Sequence, residues 1–265
     1  MDYSHLKERL EIAKKVATKA GDSIIRNNDK KRIVDTKSNE SDFVTQFDVN
    51  VQRAIIENIK RSFPGDHFIA EEEGMDSKTV KGNVWIIDPI DGTLNFVHRL
   101  PLFCVSLAFF EDKEPLIGVV YWPSAQLLIY AAKNNGAFLN DNKITVSSKK
   151  NLSDSLVTLG TSNRTAMDLM SVLHDKVQRI RMLGTAALQA AFVGAGFSEA
   201  YISVEMKIWD IAASYLIVKE AGGIITNWNG KEIDVFDTKK MIFSNSFIYH
   251  EVSKLIKDVD IKPGY

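Results

Sequence analysis

The segment Val84-Trp85-Ile86-Ile87-Asp88-Pro89-Ile90-Asp91-Gly92-Thr93-Leu94-Asn95-Phe96 constrains the fold more than any other part of the chain. Its first residues are bulky and apolar without alternation, which predicts a short strand buried on both faces. The strand is expected to leave its sheet at Asp88, because Pro89 cannot donate to a ladder. Asp91-Gly92 is a turn dipeptide in which glycine permits a tight backbone. Asp88 and Asp91 should therefore converge at the carboxyl end of a strand, with the Ile90 carbonyl and the Thr93 hydroxyl beside them. That is a set of hard oxygen donors, suited to Mg²⁺ rather than zinc. A short helix starting near Gly92 would also turn its free N–H groups toward an anion. Asp-Pro and Asp-Gly are common turn formers too, so this segment alone leaves a plain turn open.

Other acidic positions bear on that choice. Leu6, Leu10, Ala13, Ala17, Ala20 and Ile24 recur at helical spacing and predict an amphipathic helix over residues 6–25. The polar run 30–41 reads as a solvated loop or a mobile flap. A second helix is expected to start near residues 42–45, with Phe47, Val51, Ile55 and Ile59 on one face. Asp48 lies near its start, where an acid favours the helix dipole. Phe68-Ile69-Ala70 followed by Glu71-Glu72-Glu73 repeats the design of a strand ending in carboxylates. Asp210 opens an apolar helix over 209–221, and read alone it is a cap.

Residues 104–110, 117–121 and 127–132 read as strands joined by short turns, an antiparallel meander. Beyond them, strands over 156–160, 200–204, 224–226 and 241–244 alternate with helices over 166–177, 185–193, 209–221 and 249–257. That rhythm predicts a second sheet with helices packed on it. The polar run 147–154 is the seam, giving one domain with halves 1–150 and 151–265. Lys plus Arg is 33 and Asp plus Glu is 34, so no basic excess points to nucleic acid or an anionic membrane. No apolar run approaches the ~18 residues of a membrane span, and the first residues lack the apolar core of a signal peptide. A cytoplasmic protein is expected. The single cysteine, Cys104, reads as a buried strand residue in a reducing compartment. Gly194-Ala195-Gly196 lacks the third glycine and the preceding strand of a dinucleotide fingerprint. The five histidines show no paired ligand spacing.

Four blocks resemble the inositol monophosphatase family of Mg²⁺-dependent, lithium-sensitive phosphatases. They are Ser41-Asp42-Phe43-Val44-Thr45-Gln46-Phe47-Asp48, Phe68-Ile69-Ala70-Glu71-Glu72, the segment from Trp85 to His98, and Trp209-Asp210-Ile211-Ala212-Ala213. Gly184-Thr185-Ala186-Ala187 and Glu220-Ala221-Gly222-Gly223 add support. The resemblance covers nearly the whole chain and implies a layered α-β-α-β-α sandwich, an α/β fold with an antiparallel-rich first sheet and a smaller mixed second one. It implies two Mg²⁺ ions or three, held by Glu71, Asp88 and the Ile90 carbonyl, and by Asp88, Asp91 and Asp210. Asp48 and Thr93, helped by Glu71, would activate the attacking water. Gly92 and Thr93 would bind phosphate, and Gly184, Thr185 and Ala186 the substrate. The implied substrate is inositol 1-phosphate or another small phosphorylated metabolite, among them fructose 1,6-bisphosphate and the 2′-phosphate of NADP. The implied assembly is a homodimer. The family's inositol-reading glutamate would fall at Ser203, with Glu205 the nearest glutamate; in a continuous strand the two would share a face. A regulator on the same fold that binds protein or RNA is the alternative of another class. The complete acidic set and the balanced charge favour the enzyme.

Overall fold

The computed structural model describes residues 3–26, 34–36, 43–72, 81–236 and 239–259. Helix α1 (Tyr3–Arg26) buries Leu6, Leu10, Ala13, Ala17 and Ile24, the periodic face expected of it. Strand β1 (Val34–Thr36) pairs antiparallel with β2 (Phe43–Thr45). Helix α2 (Gln46–Ser62) therefore starts after residues 42–45, not within them. Phe43, Val44 and Thr45 are aromatic or β-branched, types that suit a pleated strand. The expected flap, 30–41, lies outside the described residues except for β1.

The first sheet has seven strands in chain order: β3 (His67–Ala70), β4 (Asn83–Asp91), β5 (Cys104–Glu111), β6 (Glu114–Trp122), β7 (Leu127–Ala132), β8 (Gly136–Leu139) and β9 (Asn142–Ile144). β3 runs parallel to β4, and every later pairing is the antiparallel meander. A short helix, α3 (Thr93–Val97), follows β4. The second sheet is mixed and has five strands. β10 (Leu156–Gly160) pairs parallel with both β11 (Arg179–Arg181) and β12 (Ala200–Val204). β13 (Ile224–Asn227) and β14 (Lys240–Ser244) complete it through antiparallel pairings. Helix α4 (Asn163–Leu173) begins at its Ser162 cap and ends before the expected residue 177. The chain then turns into β11, which has a single apolar residue, Ile180, and so gives no periodic signal.

Three apolar clusters fix the layers. One joins α1 and α2 to the outer face of the first sheet. Another joins that sheet's inner face to α5 (Ala186–Gly194), α6 (Ile208–Glu220) and the second sheet. The last joins the second sheet to α4 and α7 (Tyr249–Ile256). The order is α-β-α-β-α, as expected. The middle helices are apolar on nearly every side, which suits helices covered on both faces. No described helix is long and apolar enough to cross a membrane.

Helix α6 lies directly on β6. A Cβ at Gly118 would stand 2.2 Å from the Ala213 carbonyl oxygen, so the strand admits no side chain there. Gly118→Ala should force the middle layer away from the sheet and destabilise the protein by about 1–3 kcal/mol, the range for overpacking. Urea unfolding of the two proteins measures this, and an unchanged midpoint would contradict the contact.

Candidate active site

Asp88 faces Ser106 across the ladder and Asp91 faces Cys104, so β4 holds one more residue than β5 in this interval. The chain does not leave the sheet at Asp88; it bulges and rejoins at Asp91. Pro89 sits in the bulge, where a missing donor costs least. The Ile90 N–H turns back and donates to Asp88 Oδ1 at 3.0 Å. The Thr93 hydroxyl donates to the Ile90 carbonyl at 3.0 Å. Gly92 has φ +94°, and a Cβ there would lie 2.9 Å from the Leu102 carbonyl oxygen. Helix α3 starts after it with no side-chain cap.

Asp210 reaches the same place from the first turn of α6. Its Oδ2 accepts from the Lys207 N–H at 2.7 Å, so it is a cap as well as a candidate ligand. The Ser106 hydroxyl donates to the Trp209 carbonyl at 3.3 Å and ties this turn to β5. One oxygen from each of Asp88, Asp91 and Asp210 lies within 4.8 Å of the others. Asp88 is 1% exposed and Asp91 7%. Burial, then the nearby charges of Glu71, Asp91 and Asp210, push the Asp88 carboxyl well above the ordinary range. Burial and the Asp91 charge raise Asp210 to about 8. Burial raises Asp91 too, against the hydrogen bonds it accepts.

Glu71 follows β3, and its N–H donates to the Ile87 carbonyl at 3.2 Å, which sets it beside Asp88. Asp48 is buried in the first turn of α2. The adjacent Phe47 stacks on Phe96 of α3 with centroids 5.8 Å apart, so this turn lies against the helix that Thr93 opens.

The loop before α5 is pinned to α3 by Asn95, whose Nδ2 donates to the Leu183 carbonyl at 2.6 Å and the Leu102 carbonyl at 2.7 Å. Gly184 has φ +70° and packs against Asn95. The Thr185 hydroxyl and the Ala186 N–H, expected at the substrate, here address Asp91. Ser203 is fully buried opposite Gly160. Glu205 is exposed at φ +59°, beyond the end of β12. The left-handed turn breaks the strand alternation, so Ser203 and Glu205 do not share a strand face. Sequence reasoning missed Cys104 as a neighbour of Asp91; its thiol donates to Asp91 Oδ2 at 3.5 Å. Only the ladder register could have revealed that. It also missed Tyr201, whose buried phenol is raised by burial and then by the charges of Asp91 and Asp210.

A profile of the inositol monophosphatase family matches residues 5–261. The chain belongs to the inositol monophosphatase family. A Thermotoga maritima protein named fructose-1,6-bisphosphatase/inositol-1-monophosphatase is 39% identical over 252 residues, covering 95% of this chain and 97% of its own. A solved Thermotoga maritima IMPase structure matches with a TM-score of 0.90 at 39% identity, over 95% of this chain and 98% of that one. A structure of an IMPase/NADP phosphatase complexed with Mg²⁺ and phosphate matches with a TM-score of 0.83 at 29% identity, over 93% of each chain. This inositol monophosphatase family member is thus a phosphatase from a metal-dependent family. Its own donor set fits a hard divalent cation: largely buried, all oxygen, and too crowded with like charge to ionise fully without a counterion.

A pH dependence follows for the metal-free protein. The raised carboxyls keep protons that the unfolded chain releases above about pH 4. Their stabilisation is full below that range and drains as the pH rises toward the value of about 8 at Asp210. Asp210→Asn cannot ionise, so its stability relative to wild type should grow between about pH 5 and about pH 8. Thermal melts in chelator across that window decide it; a constant difference would show that Asp210 is ionised throughout.

Proposed function

We propose that the protein is a Mg²⁺-dependent phosphomonoesterase that hydrolyses inositol 1-phosphate and other small phosphorylated metabolites by attack of water. The observation that carries this is the meeting of oxygens from buried Asp88 and Asp91 and half-buried Asp210 within 4.8 Å at the end of β4. In this reading Glu71, Asp88 and the Ile90 carbonyl hold one ion, and Asp88, Asp91 and Asp210 a second, with a third an option. Ions held there would supply charge neutralisation of the phosphate and Lewis-acid activation of water and leaving group. Thr93, held at the Ile90 carbonyl, orients the attacking water, and Asp48 takes up its proton with help from Glu71. The Gly92 and Thr93 amides receive the phosphate oxygens.

Breadth of substrate is part of the proposal. Ser203 is buried and Glu205 is turned out past the strand end, so neither stands where a charged reader of the alcohol would be expected. The similar proteins named for fructose 1,6-bisphosphate and for NADP support the same reading. A lithium-sensitive homodimer in the cytoplasm completes it; sedimentation analysis and lithium inhibition test the first two features.

Asp88→Asn should abolish turnover while leaving the melting profile folded, and chelator should do the same to wild type. Full activity in excess chelator would sink the metal reading. In a panel of inositol 1-phosphate, fructose 1,6-bisphosphate and NADP, at least one bulkier compound should be cleaved well. If inositol 1-phosphate leads every other kcat/KM by about a thousandfold, roughly 4 kcal/mol, the site is specific and the breadth reading is wrong.

A further inference from the structure

We propose that Thr185 is a positioning residue for the metal site: with the first turn of α5 it fixes the rotation of the Asp91 carboxylate and presents Oδ1 to the cation. This rests on the reading of Asp91 as a metal ligand.

Both Asp91 oxygens are held from the α5 side. Oδ1 accepts from the Ala186 N–H at 3.0 Å. Oδ2 accepts from the Ala187 N–H at 2.9 Å, from the Thr185 hydroxyl and from the Cys104 thiol at 3.5 Å. A carboxylate oxygen offers about two lone-pair directions, so Oδ2 is saturated and Oδ1 keeps one free. Apart from Cys104, its neighbour across the ladder, the donors come from the start of α5 and the residue before it, so they set its orientation independently of β4.

The helix start shows what Thr185 is for. A threonine at an N-cap ordinarily turns its hydroxyl onto the amides of its own first turn. Thr185 is the N-cap of α5 and makes no such bond. Its hydroxyl and the N–H groups of Ala186 and Ala187 point to Asp91 instead, so a long-range carboxylate takes the place of the local cap. Thr185 is 2% exposed, so no water competes for the hydroxyl. The clamp is itself anchored. Gln189 Oε1 accepts from the Leu183 N–H at 3.0 Å and sets the loop before the helix. The Ser214 hydroxyl donates to the Ala187 carbonyl at 2.7 Å and ties the same turn to α6, the helix that carries Asp210.

The test is Mn²⁺ binding, read from the paramagnetic resonance signal of the free ion, on wild type and the variants Thr185→Val, Thr185→Ala and Thr185→Ser. Val and Ala should weaken one site by about tenfold to a hundredfold, the usual effect of losing a partner of a metal ligand, while Ser keeps the wild-type value. At saturating Mg²⁺ the KM for inositol 1-phosphate should stay at its wild-type value in all four. Should Thr185→Val not fold, the Ala and Ser variants decide between them. Equal Mn²⁺ affinity in all the folded variants would overturn the proposal. So would an effect confined to KM, which would make Thr185 a substrate contact. A wild-type protein that binds no Mn²⁺ would overturn the metal reading itself, and is distinguished by needing no variant.

Discussion

Like-charged carboxylates gathered out of water repel one another and lose hydration, and the architecture around Asp88, Asp91 and Asp210 is organised by that cost. Each arrives with backbone N–H groups aimed at it. Asp88 has the Ile90 N–H from its own bulge, Asp91 the first amides of α5, and Asp210 the Lys207 N–H at the start of α6. These donors orient the acids but do not offset burial and mutual repulsion, which hold Asp88 and Asp210 above the ordinary carboxylate range. What remains is a cluster that ionises fully only when a divalent cation offsets the repulsion.

The middle helical layer makes this arrangement possible. Helices α5 and α6 are covered by sheets on both sides, so their positions are set by close packing rather than by solvent-facing loops. Gly118 lets α6 rest on the backbone of β6, and Ser214 locks α5 to α6. The outer layer serves a different purpose. Asp66, just before β3, accepts from Arg9, Asn83 and the Trp85 indole, joining α1 to the start of the strand that carries Asp88.

The parts of this that were legible in the sequence are local. The run from Val84 to Ile87 reads as a doubly buried strand because nothing in it alternates, and the acids after it read as strand-end ligands because Pro89 and Gly92 break the pattern. Helix α1 follows from its spacing. The bulge at Pro89 was not legible, since register belongs to the pair and the sequence of β4 says nothing of how β5 is phased. The clamp on Asp91 is equally long-range. Thr185 looks like an ordinary helix cap until the fold places Asp91 in front of it. Glu205 misled for a third reason: strand alternation held only to Val204, where a left-handed turn at a non-glycine residue ended it.

The ligands are also spread along the chain in a telling order. Asp88 and Asp91 belong to the first sheet, whose strands are complete by Ile144, whereas Asp210 and the amides that hold Asp91 come later. A nascent chain folds from its N-terminus as it is made. The segment that carries Asp88 and Asp91 leaves the ribosome before both the helix that orients one of them and the third carboxylate. Competence for the cation is thus acquired only when the middle layer docks, and a stalled or truncated chain would carry an incomplete ligand set rather than a miniature enzyme.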